Sequence, residues 1–432
     1  MEFAAYEMKR MPNPPAPIGS DPDLDNPVVP ARPKRMREAN CRELLRLLRQ
    51  NSPCSRADLV RSSGLTAPTV SAGIVALNRR GLVDFIGSGS SNGGRPPRLL
   101  QFNSKHGYVF GADIGGTNVR LALADLNGTI CGRWSATLRL DRSPEAVTEI
   151  LSTGIAQLLQ QSGIPAKKIL CIAAGAPGIT DVQAGRVVSA PNLTGWDDVP
   201  IRQLIEDKTG LPARVENDVN LGALGESWCG MARQVRNFVF LAIGTGVGAG
   251  IVVNGRLYHG SNWSAGEVGY LLLPGLPNLT LDVNQLGVLE SVIGGKGIET
   301  AWAERCSRAG TGNAVQSLRA TEVFDRAVEG DEMAREVLYS TAEMLSLAIT
   351  NISLVLNMSL VVLGGGVGHH AALFDATRRF LSRHHFSRPQ LVVSSLGADA
   401  QLYGAIWLAL QSAEAHGFRR VPVHGGQVRV NV

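Results

Sequence analysis

Residues 108–123 read YVFGADIGGTNVRLAL. Apolar residues flank the glycines on both sides, which predicts two strands joined by a tip at Gly115-Gly116-Thr117. Because glycine has no Cβ, backbone N–H groups of such a tip can approach phosphate oxygens, and the Thr117 hydroxyl adds a further donor. Asp113, at the end of the first strand, can hold the Mg²⁺ that accompanies phosphates. One Gly-rich hairpin alone is more often only a turn.

Two later glycine clusters repeat this pattern. Residues 243–250 read IGTGVGAG between two apolar runs, and residues 363–367 read LGGGV at the end of a third apolar run. Three such clusters in order favour a nucleotide site over three structural turns. The predicted nucleotide-binding residues are Asp113, Gly115, Gly116, Thr117, Gly244, Thr245, Gly246, Gly364, Gly365 and Gly366.

The composition fits an α/β protein with several cores. The chain has 432 residues, of which 44% are hydrophobic, 18% are charged and 49 are glycine. These values exclude a disordered or fibrous protein. From residue 108 onward, strand and helix patterns alternate to the end of the sequence.

Cysteine spacing and hydropathy indicate a cytoplasmic protein. The six cysteines lie at least 13 positions apart, so no CxxC pair exists, and a reduced protein is expected. The first ten residues carry charges with no apolar run behind them, unlike a signal peptide. Residues 344–374 lack Asp, Glu, Lys and Arg, but asparagines and three glycines interrupt them. This stretch is therefore interpreted as a buried helix and strand, with no membrane span.

The positive charge is concentrated near the N-terminus. The net charge is +5, but residues 34–105 hold 13 Lys+Arg against 4 Asp+Glu, or +9. A basic module on a nearly neutral body is typical of a nucleic-acid-binding domain. Residues 1–33 contain eight prolines and no apolar periodicity, which predicts a disordered tail.

The basic module has helix-turn-helix spacing. A first helix is predicted over 38–50, a capping box at Ser55-Arg56-Ala57-Asp58 opens a second, and Gly64 supplies the turn before Thr66 caps a third. Small polar residues at the start of a recognition helix can contact base edges. The predicted DNA contacts of this helix are Thr66, Thr69, Ser71 and Arg79.

A wing follows the third helix. Residues 82–86 and 98–102 are strand-like, and a flexible tip at 87–94 precedes Arg95. A guanidinium there can enter the minor groove or contact phosphate. The alternative is a three-helix protein-interaction module with a solvated basic edge. Capping, core spacing, wing and charge together favour binding of double-stranded DNA.

The chain resembles the ROK family of repressors, open reading frames and sugar kinases over about residues 38–415. Seven segments carry the resemblance, namely Gly93-Gly94-Arg95-Pro96, Asp113-Ile114-Gly115-Gly116-Thr117, Gly175-Ala176-Pro177-Gly178, Ala190-Pro191-Asn192-Leu193, Glu216-Asn217-Asp218-Val219-Asn220, the 243–250 cluster and Gly266-Glu267-Val268-Gly269.

This resemblance implies a fold and a domain order. It implies an α/β protein, with an N-terminal winged helix-turn-helix followed by a two-lobed actin-like (ribonuclease H-like, sugar kinase) ATPase domain, and commonly a homodimer or homotetramer. The expected divisions are a tail at 1–33, the winged domain at 34–104, the ROK domain at 105–416 and a second tail at 417–432. Within the ROK domain we expect a small lobe of about 105–217 plus the helix 397–416, and a large lobe of about 218–396.

The resemblance also assigns a cleft that binds sugar and ATP. In the family's kinases, the position of Asp218 takes the proton from the attacking sugar hydroxyl, and Mg²⁺ helps to hold the phosphates. The predicted sugar-binding residues are Asn192, Asn217, Asp218, Glu267, Tyr270 and Glu290. The alternative role for Asp218, an N-cap of the helix that follows, is compatible with catalysis.

One feature departs from the family. Its kinases hold a structural zinc with a His three residues after the sugar-binding Glu and with a cysteine-rich stretch. Here Tyr270 stands at the His position, and no Cys or His lies between Glu267 and Glu290. We therefore expect no structural zinc, and the Tyr270 hydroxyl would take over one sugar contact.

Two functions remain open, with a third less favoured. The first is a sugar-responsive regulator, a repressor by resemblance, that controls carbohydrate metabolism genes and needs no cofactor to bind DNA. The second is an ATP-dependent hexose kinase, with or without DNA binding. The third is a body that binds a partner protein and no sugar. The winged module favours the regulator, because a metabolic kinase does not need it.

Overall fold

The computed structural model describes residues 33–89, 96–138, 141–191, 193, 195–276, 285–309, 317–383, 388–421 and 423. The chain divides into two compact units between Asn103 and Ser104.

The N-terminal unit consists of three helices and a three-stranded sheet of order β1-β3-β2. The Ser55 side chain accepts from Asp58 N while the Asp58 carboxylate accepts from Ser55 N, which confirms the predicted capping box. Gly64 ends the second helix at φ +67, and Thr66 caps the third. The elements are α1 (Pro33–Asn51), β1 (Cys54–Ser55), α2 (Arg56–Ser63), α3 (Ala67–Arg79), β2 (Val83–Ser88) and β3 (Arg98–Phe102).

This unit has its own core, built by the apolar positions that helical spacing predicts. Leu44, Leu48, Val70, Ile74 and Leu77 are fully buried. The first helix begins at Pro33, five residues before the predicted start, because proline is well tolerated in the first turn. The antiparallel pairing of β2 with β3 confirms the two wing strands.

The first sheet of the C-terminal unit has the order β10-β7-β4-β5-β6. Strand β4 pairs antiparallel with β5 and parallel with β7, and every residue of β4 is buried, as in a central strand covered on both faces. The elements are β4 (Tyr108–Ile114), β5 (Asn118–Asp125), β6 (Ile130–Thr137), α4 (Pro144–Ser162), β7 (Ile169–Ala176), β8 (Ile179–Asp181), β9 (Arg186–Ser189), α5 (Ile201–Thr209) and β10 (Ala213–Asn217).

The second sheet has the order β13-β12-β11-β14-β15 and repeats the design of the first. Strand β11 pairs antiparallel with β12 and parallel with β14, so a glycine-tipped hairpin again leads into parallel strands. The elements are α6 (Asp218–Cys229), β11 (Phe238–Ile243), β12 (Val247–Val253), β13 (Arg256–Leu257), α7 (Glu290–Ile293), α8 (Gly295–Arg308), α9 (Ala320–Glu329), α10 (Glu332–Leu356), β14 (Leu360–Gly364), α11 (Gly365–Gly368), α12 (Ala371–Leu381), β15 (Gln390–Val393) and α13 (Ala400–Ala415). Two such sheets form the two lobes, and the α/β prediction is confirmed.

Helices α6 and α13 pack against each other at the junction of the two lobes. Helix α6 contacts strands of both sheets, while α13 covers β4 and β7 of the first. A Cβ on Gly404 would lie 1.8 Å from the Leu221 carbonyl oxygen, and one on Gly225 would lie 2.2 Å from that of Ala400. Only glycine permits this approach, so the two backbones touch directly.

The uncharged stretch 344–374 is part of the second lobe. Residues 344–374 form the second half of α10, strand β14, α11 and the start of α12. The predicted buried helix and buried strand are α10 and β14. Among the described helices, α10 is long and apolar enough to cross a membrane, but half of its most apolar window is buried inside the structure. After α13, Phe418 is also buried and Arg420 donates to the Gly210 carbonyl, so the chain still packs against the first lobe there.

Candidate functional site

The glycine clusters meet at a cleft in the C-terminal unit. A cavity of about 920 Å³ is lined by Asp113, Gly115, Thr117, Gly244, Thr245 and Gly366, and an adjoining one of about 330 Å³ by Gly116, Gly246 and Gly365. Nine of the ten predicted nucleotide-binding residues thus line these two cavities, which share Asp113, Gly115, Thr117, Gly244 and Thr245. The exception is Gly364, where a Cβ would lie 2.3 Å from the Phe240 ring, so it faces the core of the sheet.

Asp113 carries a partner that the sequence did not reveal. Arg120 lies opposite it in the β4–β5 register and donates to Asp113 Oδ2 from Nε at 2.9 Å and from Nη2 at 2.5 Å. Arg120 also donates to the Ala398 carbonyl, just before α13. Burial raises the pKa of Asp113, while the Arg120 charge opposes that rise. Any cation held by Asp113 would share this carboxylate with a guanidinium.

Helix α6 begins with Asp218, and its N-cap is Asn217. Asn217 Oδ1 accepts from Asn220 N at 3.0 Å, and its Nδ2 donates to the Gly178 carbonyl at 2.9 Å. The alternative role proposed for Asp218, the N-cap, is therefore wrong. Asp218 Oδ1 accepts from Val219 N at 2.9 Å. The Asp218 side chain lines the 330 Å³ cavity.

Three acids converge on that cavity. Glu267 and Glu290 line it together with Asp218, and Glu290 Oε2 accepts from Val247 N at 2.8 Å, which fixes its place beside the second glycine hairpin. Burial, and then the charges of Asp113 and Glu267, raise the pKa of Asp218 to about 7. Burial and the charge of Glu290 raise the pKa of Glu267 to about 7. A ligand that donates hydroxyl hydrogens would satisfy these acceptors.

Two further sugar-binding predictions have different outcomes. Tyr270 lines the same cavity, but its hydroxyl donates to the Gln285 carbonyl at 2.7 Å, so it also ties down the segment where the family's kinases have zinc ligands. Asn192 lies outside the described residues. Within the described ranges, no group of three or more His, Cys, Asp or Glu side chains could hold a metal ion.

The predicted DNA contacts gather at the recognition helix. Thr66 is exposed at its N-cap and shares a 2.8 Å hydroxyl–hydroxyl bond with Thr69, Ser71 is half-buried, and Arg79 is exposed at the last turn. Arg95 lies outside the described residues. Base contact by these side chains stays a prediction.

The N-terminal unit also has a pair of arginines stacked on Phe85, which the sequence analysis did not predict. The half-buried Phe85 ring on β2 has the guanidinium of Arg98 4.3 Å and that of Arg56 5.7 Å from its centroid. Both arginines are exposed, and they come from β3 and from the first turn of α2. The stacking holds two cations near the start of the helix-turn-helix. The sequence signal that could have predicted this cluster is an aromatic residue on one wing strand, Phe85, with basic residues on neighbouring elements.

Comparison with known proteins bears on both units. The family model described as "ROK family" matches residues 109–412. The xylose repressor of Bacillus subtilis is 30% identical over 85% of this chain and 94% of its own length. A glucokinase of Halalkalibacterium halodurans is also 30% identical, but 95% of its length covers only 70% of this chain.

A solved structure shares the fold of both units. The crystal structure of a ROK family transcriptional regulator, a homologue of the Escherichia coli MLC protein, aligns with a TM-score of 0.73 at 23% identity, over 89% of this chain and 98% of that one. The predicted order, a winged helix-turn-helix followed by a two-lobed sugar-kinase-like body, is confirmed.

Proposed function

Because this chain belongs to the ROK family, we propose that it is a transcriptional repressor whose affinity for DNA changes when a sugar binds its kinase-like body. The observation that carries this proposal is the presence of a winged helix-turn-helix ahead of that body, with three helices and two paired wing strands among the described residues. The xylose repressor relative matches across both parts, whereas the glucokinase relative matches a smaller share of the chain. Such a protein works in the cytoplasm, where its operator lies.

The DNA-binding unit would read an operator through α3 in the major groove. Small polar residues at the start of that helix can contact bases, while Arg56, Arg79 and Arg98 add charge for the phosphates. A homodimer would bind two half-sites, so a change in the body alters operator affinity by altering the spacing of its two winged units.

The body would recognise a sugar through its buried acids. Asp218, Glu267 and Glu290 offer carboxylate oxygens to hydroxyl groups, and Asn217 has an amide hydrogen left after capping α6. Paired acceptors at fixed positions distinguish the stereochemistry of a polyol, because a wrongly placed hydroxyl leaves a buried acceptor unsatisfied. A pentose or hexose of the class named for the relatives, such as D-xylose or D-glucose, carries the hydroxyl donors that these acceptors require.

The test is fluorescence anisotropy of the protein on DNA from its own upstream region, at one stated salt concentration. We expect much tighter binding than to a scrambled duplex, and a change in affinity with one sugar of a panel that includes D-xylose and D-glucose. Equal affinity for both duplexes would refute the DNA-binding proposal. Specific binding that no sugar alters would refute the sugar response.

The second candidate function is an ATP-dependent sugar kinase, which the glucokinase relative and the position of Asp218 favour. The glycine clusters and Asp113 would hold Mg²⁺-ATP, which supplies the phosphoryl group when bound. Asp218, whose pKa is raised to about 7, would take the proton from the sugar hydroxyl. An ADP-release assay with the sugar panel tests this, and Asp218→Asn should abolish any turnover. Turnover that survives the substitution would exclude Asp218 as the base.

A further inference from the structure

A hydrogen-bonded pair of Glu216 and His259 joins the two lobes beside the sugar cavity. Glu216 lies in β10 of the first sheet, and His259 follows β13 of the second. The His259 Nε2 atom lies 2.8 Å from Glu216 Oε2, with side-chain exposures of 16% and 6%. Burial disfavours the imidazolium, but the hydrogen bond and charge of Glu216 more than offset this and raise the pKa of His259.

On the first lobe, Glu216 orients the residues that open α6. Its Oε1 accepts from Asn217 N at 2.9 Å and from Asn220 Nδ2 at 3.0 Å. Asn220 in turn donates its own backbone N–H to Asn217 Oδ1. The Glu216 carboxylate thereby sets the orientation of Asn217 and, through the helix start, of Asp218.

On the second lobe, His259 opens the turn that leads to Glu267. Its carbonyl accepts from Ala265 N at 3.2 Å, and the Gly266 carbonyl accepts from Ala249 N at 2.8 Å. The Trp263 ring meets the His259 ring edge-on, 5.4 Å between centroids. Trp263 itself is held at φ +63, a conformation that persists only where the surroundings determine it.

We propose that His259 is a positioning residue for the sugar, because its bond to Glu216 fixes the Asn217–Asp218 edge of the cavity relative to the Glu267 edge. His259 itself does not line that cavity. Asn217 ends β10 of the first sheet, whereas Glu267 follows β13 of the second. Without the bond, the separation of these two edges would vary, so one sugar could not satisfy both at once. This inference rests on the sugar response proposed above.

The test compares His259→Ala and His259→Gln with the wild-type protein. We expect His259→Ala to weaken sugar binding by about tenfold or more, the usual cost of losing a hydrogen bond to a buried charge. Affinity for DNA without sugar should stay within about twofold of wild type. Because a glutamine amide can still donate to Glu216, His259→Gln should restore part of the sugar affinity. A purely structural role would lower thermal stability and DNA affinity together and would show no such recovery.

The chain offers a matched control in His370. Its Nε2 lies 3.1 Å from Asp325 Oδ1, and its ring meets Phe324 edge-on at 5.3 Å, but it lies outside the residues that line the sugar cavity. His370→Ala should leave sugar affinity unchanged.

The readout is isothermal titration with D-xylose and D-glucose, alongside DNA anisotropy without sugar. Sugar affinity of His259→Ala equal to wild type, or an equal loss in His370→Ala, would overturn the inference. A wild-type protein that binds neither sugar would instead refute the proposed sugar response, so the two failures are distinguishable.

Discussion

Arg120 and Asp113 form an ion pair across the first glycine hairpin, with Nη2 2.5 Å from Oδ2 and the carboxylate almost fully buried. The same guanidinium reaches the Ala398 carbonyl and lies 3.9 Å from Asp399. The pair thus compensates the buried charge of the predicted phosphate site and ties that site to the segment before α13.

Removing the cation should destabilise the body. We expect Arg120→Gln to lower the free energy of unfolding by about 1–3 kcal/mol. This value lies between the cost of breaking an exposed ion pair, about 0–1 kcal/mol, and that of breaking a fully buried one, about 3–5 kcal/mol. Arg133→Gln, which breaks an exposed pair with Asp399, should cost less than about 1 kcal/mol. Urea unfolding of both variants measures the difference. Equal losses would show that the Asp113 charge needs no compensation.

Stability should fall as the pH rises. The pKa values of Asp218 and Glu267 are raised from 3.8 and 4.5 to about 7, so the folded state binds these protons more tightly than the unfolded chain. This contribution is complete below the ordinary pKa values and is lost as the pH rises through about 7. Each unit of difference between the folded and unfolded pKa corresponds to about 1.4 kcal/mol of folding free energy.

Thermal midpoints without sugar, measured from about pH 5 to about pH 8, should therefore decrease, and Glu267→Gln should flatten the slope. A slope that is unchanged in Glu267→Gln would contradict the assignment.

The Phe85 stack should contribute to DNA binding through phosphates. Arg56→Ala and Arg98→Ala should each weaken binding to specific and random DNA alike and reduce the salt slope by about one. Arg61→Ala is the control, because Arg61 already pairs with Asp58 in the same helix. Anisotropy at several salt concentrations gives the slopes. If only specific binding weakens, these arginines contact bases instead.

A methyl group at the α6–α13 contact should be poorly tolerated. Gly404→Ala places a Cβ 1.8 Å from the Leu221 carbonyl oxygen, so the helices must separate, at a cost of about 1–3 kcal/mol or more. The exposed Gln411→Ala in the same helix should change stability by less than about 0.5 kcal/mol. Thermal unfolding of the two variants measures the difference in stability. Similar midpoints would show that the α6–α13 contact leaves room for a methyl group.

The purified, untagged protein should carry no stoichiometric zinc. Tyr270 replaces the family's His, and its hydroxyl bonds to the Gln285 carbonyl where a metal would otherwise fix the chain. Elemental analysis should give far less than one zinc per chain, and a chelator should leave the thermal midpoint unchanged. One zinc per chain would refute this prediction.

Patterns among neighbouring residues predicted many of the helices, strands and turns. The capping box at Ser55, the glycine turn at Gly64 and the hairpin of β4 and β5 depend on neighbouring residues, and the sequence predicted each of them. Strand β3 occupies Arg98–Phe102, the predicted range. Helix and strand ends shifted by a few residues where several neighbours suit a terminus equally well.

The site was predicted less completely, for two reasons. Asn217 and Asp218 are adjacent and both favour N-caps, so only the backbone decides that Asn217 is the cap. Other errors came from distance along the chain. The Arg120 bond to Ala398 spans 278 positions, and Glu216 meets His259 across 43, separations that leave no local pattern. Gly364 was grouped with its neighbours because three successive glycines do not reveal which one faces the core.

The direct contact between α6 and α13 links two ends of the cleft. Helix α6 starts at Asp218 beside the sugar cavity, and the segment bound by Arg120 leads into α13 beside the phosphate hairpin. Helices whose backbones touch at Gly225 and Gly404 move as one body. In the proposed function, a sugar that displaces α6 would also alter the affinity for phosphate-bearing ligands, and by thermodynamic linkage such ligands would alter the affinity for the sugar by the same factor. Nucleotide concentration would thereby become an input to the proposed sugar-controlled switch.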